Sequence, residues 1–232
     1  LVSEEENTLT SLFVKRDFRD HYQRTGWSTY ASHDLDGWLD GTVRLLQDDY
    51  ESLSNSVGWS VFGGSWARES FRPNPQVDEI RITSLRGELS LDTRDSRVYP
   101  GTGWLITGLA ESAGGWLGDD GEFERYVIDA RHYQTLGQAM RLDLRARVGT
   151  SRGTLPRQLL YELGGYSSLR GYRFKEFVGD RMALANGEFW VDVSQYTSRY
   201  WFLDGLNAGL FMDAGTTWFG EQTQPEIDGR PY

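Results

Sequence analysis

A chain of 232 residues suffices for one large domain or two small ones, and its formal net charge of −10 leaves no basic surplus to neutralise phosphates, which excludes nucleic acid as the main partner. The absence of cysteine excludes disulfide frameworks and thiolate metal sites. Mean hydropathy is −0.55 and no run approaches the ~18 apolar residues of a membrane helix, yet a transmembrane β-strand needs only about 9–11 residues with alternate ones apolar.

Twenty-seven glycines, nine tryptophans and twelve tyrosines favour an all-β chain with aromatic anchors. Leu1–Thr10 is acidic and lacks the basic and apolar regions of a signal peptide. The chain opens without methionine and stops at Gly229–Tyr232 with no capping signal, so it is expected to be a piece of a longer protein.

In chain order, Leu9–Arg19 is the first expected strand, followed by a long polar connection over His21–Gly41. Thr42–Tyr50 and Ser56–Trp66 are expected strands joined by a short turn at Glu51–Asn55. A long loop, Ala67–Asp78, leads to Ile80–Asp92, where Leu85, Gly87, Leu89 and Leu91 oppose Arg86, Glu88, Ser90 and Asp92. After a turn at Thr93–Gly101, Thr102–Glu111 places Trp104, Ile106, Gly108 and Ala110 on one face. A glycine-rich loop, Ser112–Gly121, precedes Glu122–Tyr133, in which Tyr126, Ile128 and Ala130 oppose Arg125, Asp129 and Arg131.

Ala139–Gly149 alternates without exception, with Met140, Leu142, Leu144, Ala146 and Val148 against Arg141, Asp143, Arg145 and Arg147. A water-soluble sandwich and a membrane barrel both accept such a strand, because each has one apolar face and one wet face. Thr150–Asp180 is a long connection. Arg181–Val193 and Trp201–Trp218 then close the series around a turn at Ser194–Tyr200. Nine strands joined alternately by short turns and long loops give one tight rim and one elaborate rim, the up-and-down topology of outer-membrane barrels. No helix or internal domain boundary is expected.

Four stretches carry a resemblance. Leu163–Tyr172, Leu-Gly-Gly-Tyr-Ser-Ser-Leu-Arg-Gly-Tyr, resembles the sixth-external-loop signature of the BamA/TamA superfamily of outer-membrane assembly and translocation proteins, the bacterial surface antigen family. Gly179-Asp-Arg181 with Asn186-Gly-Glu188 is similar to the start of the following strand. Gly209–Gly215, Gly-Leu-Phe-Met-Asp-Ala-Gly, resembles the motif of the strand after that. Leu91–Asp95 with Pro100 and Gly103 is similar to an upstream periplasmic turn. Order and spacing match over roughly residues 85–220.

The resemblance implies an all-β, antiparallel up-and-down transmembrane β-barrel, of which residues 1–232 would supply about nine of sixteen strands, five to thirteen, with loop 150–180 folded into the lumen. It implies a place in the bacterial outer membrane, no enzymatic activity and no cofactor. Its partners would be the lipid bilayer, client outer-membrane or secreted proteins, and periplasmic or lipoprotein accessory subunits. Preceding POTRA repeats are also implied. In the family the loop arginine pairs with an acidic residue on the wall. Carried over by motif, the latch is Arg170 with Asp213, and Glu188 is a second acceptor. Gly164, Gly165 and Gly171 would let the backbone turn and approach the wall, while Leu169, Tyr166 and Tyr172 would add packing. A guanidinium fork suits this role because it holds two carboxylate oxygens in fixed geometry.

Enzyme chemistry finds little support in the residues. His21, His33 and His132 have no metal spacing, and no Gly-x-Ser-x-Gly nucleophile elbow occurs. His33, Asp34 and Asp36 read as a solvated acidic loop, and Asp48–Asp49 or Asp119–Asp120 as calcium candidates without a full oxygen set. The Arg141, Arg145 and Arg147 stripe reads as a lumen wall balanced by Asp129, Asp143 and Glu88 ahead of an anion path. Trp104, Trp190, Trp201 and Trp218 read as interface anchors or core. Two rival readings stand beside assembly or translocation: a barrel anchor for a patatin-like phospholipase, and a passive porin or receptor.

Overall fold

The computed structural model describes residues 11–13, 20–54, 60–61, 74–118, 121–196, 206–220, 226–227 and 230–231. Its main element is an eight-stranded antiparallel sheet, whose strands follow here in sheet order. The strands are β1 (Tyr22–Leu35), β2 (Leu39–Ser52), β3 (Arg81–Asp92), β4 (Thr102–Ala113), β5 (Phe123–Leu136), β6 (Met140–Gly153), β9 (Arg181–Asp192) and β10 (Asn207–Trp218). Inside the β6–β9 connection, β7 (Tyr161–Leu163) and β8 (Phe177–Gly179) form a two-stranded ribbon, and β11 (Glu226–Ile227) pairs with β12 (Arg230–Pro231). Three short 3₁₀ turns, Gly115–Leu117, Arg157–Leu159 and Val193–Tyr196, are the helical elements beside residues 11–13 among the described residues.

Each strand of the sheet pairs with its sheet neighbour over nine to fourteen residues, long enough to cross a bilayer when tilted. Side chains alternate as the sequence pattern requires. The pairing Ala130↔Ala146↔Ala185↔Ala214 puts an apolar rung on one face. The pairing Arg131↔Arg145↔Asn186↔Asp213 puts a polar rung on the other.

Three expectations change. His21–Gly41 is a hairpin rather than a loop: β1 runs to Leu35, and Asp36 and Gly37 turn the chain with φ of 56° and 73°. Asp-Gly is a strong hairpin signal, but both faces of β1 mix aromatic and polar residues, so no apolar alternation marks the strand. Residues 11–13 are helical, and the rest of the expected Leu9–Arg19 strand lies outside the described residues. So does most of Ser56–Trp66, whose described residues Ser60 and Val61 are not strand. The main sheet therefore numbers eight strands among the described residues, with Tyr22–Leu35 as one that the sequence pattern misses.

The core lies between the loop and the polar-bearing face. Leu155, Leu160, Tyr161, Leu163 and Leu169 of the connection pack against sheet residues that include Ile82, Phe123, Met182 and Leu184. These wall positions belong to the external ends of their strands, where the otherwise polar face turns apolar under the loop. The opposite face keeps large apolar side chains uncovered, among them Leu89, Ile128, Leu144, Val148, Leu210 and Met212.

Candidate functional site

The β6–β9 connection descends onto the sheet through Tyr161. Its hydroxyl lies 3.1 Å from the carbonyl oxygens of both Tyr126 and Thr150, sharing one proton between them. The ring lies flat on β6 because position 149 is glycine: a Cβ there would sit 2.9 Å from the ring and 3.0 Å from the Met182 methyl. Beyond Leu163 the chain folds into a compact tip. Gly164 and Gly165 take φ of 122° and 86°, and a Cβ on Gly164 would meet the Arg173 carbonyl oxygen at 2.1 Å. The Ser168 hydroxyl closes the tip, accepting from the Gly164 N–H at 2.8 Å and donating to the Gly164 carbonyl at 3.0 Å. Lys175 meets Asp20 at 2.6 Å and Glu162 at 2.7 Å, tying the returning arm to the segment before β1.

This folding places Arg170 against β9 and β10. Its Nε and Nη2 donate to the two Asp213 carboxylate oxygens at 2.8 and 2.6 Å, and its Nη1 donates to Glu188 at 2.6 Å. The Arg170 backbone N–H adds a 3.1 Å bond to Asp213. Hydrogen bonding to Asp213 raises the guanidinium pKa above its ordinary value, against an opposing effect of burial and with Glu188 adding to it, so the arginine stays charged. The Arg170 and Asp213 side chains keep only 14% and 7% of their exposure, which places the pair nearer a buried than a surface ion pair.

Several partners go beyond those expected from the sequence. Phe211, directly opposite Glu188 in the register, lies under the guanidinium with its centroid 3.8 Å from Cζ, a cation–π contact. Asn186 donates to Asp213 at 2.8 Å and fixes the carboxylate from the next strand. Trp190 donates its indole N–H to Glu188 at 3.0 Å, and its ring covers β10 where Gly209 leaves room: a Cβ there would meet the ring at 2.7 Å. Trp190 is thus a brace for Glu188. These roles depend on strand register, which no single motif displays. The glycines of the β10 motif are the one signal that a ring or a loop approaches closely.

Among the other expected loop residues, Leu169 is buried, and Tyr172 packs edge-on against Phe177 at 4.9 Å. Tyr166 is 82% exposed and adds no packing, because the tip turns its ring outward. Gly171 has open space around it and no positive φ, so the tip does not need glycine there for close approach.

The arginine stripe on β6 divides its partners. Arg145 bonds Asp129 at 2.5 Å and Arg141 bonds Asp143 at 2.8 Å, whereas Glu88 lies beside Arg86 instead. A second cluster centres on buried Glu111, which accepts from Arg125, Arg86 and Ser84. A cavity of about 1030 Å³ opens between Asp129, Arg145 and Arg147 of the wall and Tyr161 and Leu163 of the loop. Asp48 and Asp49 point to opposite faces of β2, toward Arg24 and Arg81, so they do not converge on one cation. His33 and Asp34 lie in β1 and Asp36 in its turn, and the Asp34 carboxylate accepts from the Gly37 N–H at 2.8 Å. Trp104 faces outward and stacks on His132 with centroids 4.2 Å apart. Asp119, Asp120 and Trp201 lie outside the described residues.

Comparisons with known proteins bear on the fold and the family. The chain is 31% identical over 116 residues to the outer membrane protein assembly factor BamA of Nitratidesulfovibrio vulgaris, a match that covers 43% of this chain and 15% of that protein. Its fold matches the crystal structure of BamA from Haemophilus ducreyi lacking POTRA domains 1–3, with a TM-score of 0.65 at 14% identity, over 85% of this chain and 42% of the other. The chain thus spans well under two thirds of either relative. The model of the Omp85 superfamily domain matches residues 2–230, and the chain belongs to that superfamily.

Proposed function

We propose that this chain is the wall and latched loop of a barrel that assists insertion, assembly or translocation of other proteins at the bacterial outer membrane. The observation that carries the reading is the Arg170 latch, an arginine held by Asp213, Glu188 and Phe211 at the tip of a loop packed on the inner wall of an Omp85 sheet. A loop seated on the inner wall narrows the pore available for passive diffusion. A barrel that must hold a defined shape while clients engage it gains a fixed internal support. Membership of the superfamily and likeness to an outer membrane protein assembly factor support the same reading.

The work proposed needs no nucleotide and no covalent step. Arg170, Asp213 and Glu188 act by position: they seat the loop and so set the shape of the wall behind it. Residues 1–232 would form part of a larger barrel domain, with the 150–180 loop in its lumen. The bilayer, client proteins, and periplasmic or lipoprotein accessory subunits are its partners. Depleting the full-length protein from its host is expected to leave client outer-membrane or secreted proteins unassembled or undelivered, read by their folded abundance in isolated membranes. Undiminished client abundance after depletion overturns the proposal.

A further inference from the structure

Arg170 is not the only side chain on the loop tip's contact surface. Two consecutive backbone carbonyls of the tip are gripped from the wall. Arg145 on β6 donates through Nη1 to the Ser167 carbonyl at 3.1 Å, and Asn186 on β9 donates through Nδ2 to the Ser168 carbonyl at 2.7 Å. Arg145 and Asn186 are directly paired across the β6–β9 ladder, so the two donors stand side by side on one rung. Neither was assigned a role by the loop motif, because both contacts are made to backbone.

Each donor is itself held in place. The Nε and Nη2 atoms of Arg145 are taken up by Asp129, with three contacts between 2.5 and 3.1 Å, which leaves Nη1 to reach the loop. Asp129 also accepts from Arg131 at 3.2 Å and lies 3.8 Å from Arg147. That surplus of cation around one carboxylate means Arg145 can leave without stranding a buried charge. Asn186 spends its second N–H on Asp213 at 2.8 Å. The same asparagine therefore touches both the loop backbone and the acceptor of Arg170.

We infer that Arg145 and Asn186 form a second clamp on the loop tip, independent of the Arg170 side chain, and that they act as positioning residues for the latch. The inference deepens the assembly reading above and rests on the tip being the functional support in that reading. Its content is a ranking. Loss of Arg170 removes one clamp and leaves the tip seated by its backbone. Loss of Asp213 removes the acceptor of Arg170 and also frees the Asn186 amide to rotate, so both clamps weaken. Loss of Arg145 together with Arg170 leaves the Asn186 amide to hold the tip backbone from the wall, and the tip loosens. A backbone grip of this kind is also indifferent to the tip's side chains, so Ser167 and Ser168 can vary without loosening it, provided the Ser168 hydroxyl bonds that close the turn are replaced.

The test is a distance measurement on the full-length membrane-embedded protein. The chain has no cysteine, so labels at Tyr166→Cys on the exposed tip and Tyr99→Cys on the exposed β3–β4 turn report one distance by pulsed electron paramagnetic resonance. With Arg170→Ala the distribution is expected to stay single and close to its original width. With Arg145→Ala and Arg170→Ala together its width is expected at least to double, and Asp213→Ala is expected to fall between. Arg170→Ala alone broadening as far as the double variant overturns the inference. Heat-modifiable gel migration checks that each barrel is folded. Should Arg145→Ala not fold, Arg145→Lys with Arg170→Ala replaces it, since an ammonium can satisfy Asp129 but has no second arm for Ser167. An unbroadened distance in that variant overturns the inference equally. Client assembly measured in the same cells separates the two claims: a loosened tip with normal assembly sinks the proposed function and keeps the clamp, and a tip that stays seated sinks the clamp alone.

Discussion

The Arg170–Asp213 contact can be weighed by magnitude. An exposed ion pair contributes about 0–1 kcal/mol, too little to hold a long loop, whereas breaking a buried one costs roughly 3–5 kcal/mol. With little of either side chain exposed, and with Phe211 and Glu188 completing the shell, the contact belongs near the upper range. Arg170→Ala and Asp213→Ala are each expected to cost roughly 3 kcal/mol of barrel stability in denaturant titration. Together they should cost well short of the sum, because the second removal finds the pair already broken. Strictly additive losses rule out direct pairing. Asp213→Ala should be the costlier single change, since it also strips Asn186 of an acceptor.

Between residues and fold stand the turns and the loop, and each is built on side chains that serve backbone groups. In the β3–β4 turn the Asp95 carboxylate accepts from the Gly101 N–H at 2.8 Å and the Thr102 N–H at 3.1 Å. Those backbone bonds, Thr102 first and Gly101 second, hold its pKa below the ordinary carboxylate value. A group whose folded pKa is depressed stabilises the fold above its unfolded pKa and loses that contribution as pH falls through the folded one. Hydrogen-exchange protection of the Gly101 and Thr102 amides should thus be constant through neutral pH and fall below about pH 4. Asp95→Asn should lack that acid-side step. A step that persists in the variant assigns the turn's acid sensitivity elsewhere. In the same way the loop depends on Gly149 to admit Tyr161 and on Gly164 to admit the Arg173 carbonyl, two close approaches that no other residue type permits.

At the largest scale, the described strands form an outer-membrane β-barrel sheet of the Omp85 superfamily, with one face bearing alanine, leucine and valine rungs and the other bearing ion pairs and the loop. That division of faces is what a bilayer outside and a wet interior demand. It can be tested by charge. Ala146 sits on the uncovered apolar face midway along β6, so Ala146→Arg is expected to destabilise the folded barrel in lipid by about 2–4 kcal/mol. Arg147→Ala, one residue away on the loop face, removes only a 3.8 Å contact to Asp129 and should cost far less. Equal costs for the two would mean that the faces are wrongly assigned.

How much of this is legible in the sequence differs from element to element. The face of every residue on β3, β5, β6 and β10 follows from strict alternation, because side-chain direction in a strand is a local property with a period of two. The latch acids Asp213 and Glu188 stand in the sequence within motifs that resemble the family's. Tyr22–Leu35 escaped because both of its faces mix aromatic and polar residues, so no alternation marks it. Phe211, Trp190, Arg145 and Asn186 escaped for another reason. Their roles arise from which residues stand opposite one another across the ladder and from where a distant loop lands. Alternation told which way each side chain points. Only the folded chain could decide what it meets, since pairing register and loop docking are contacts between residues far apart in sequence.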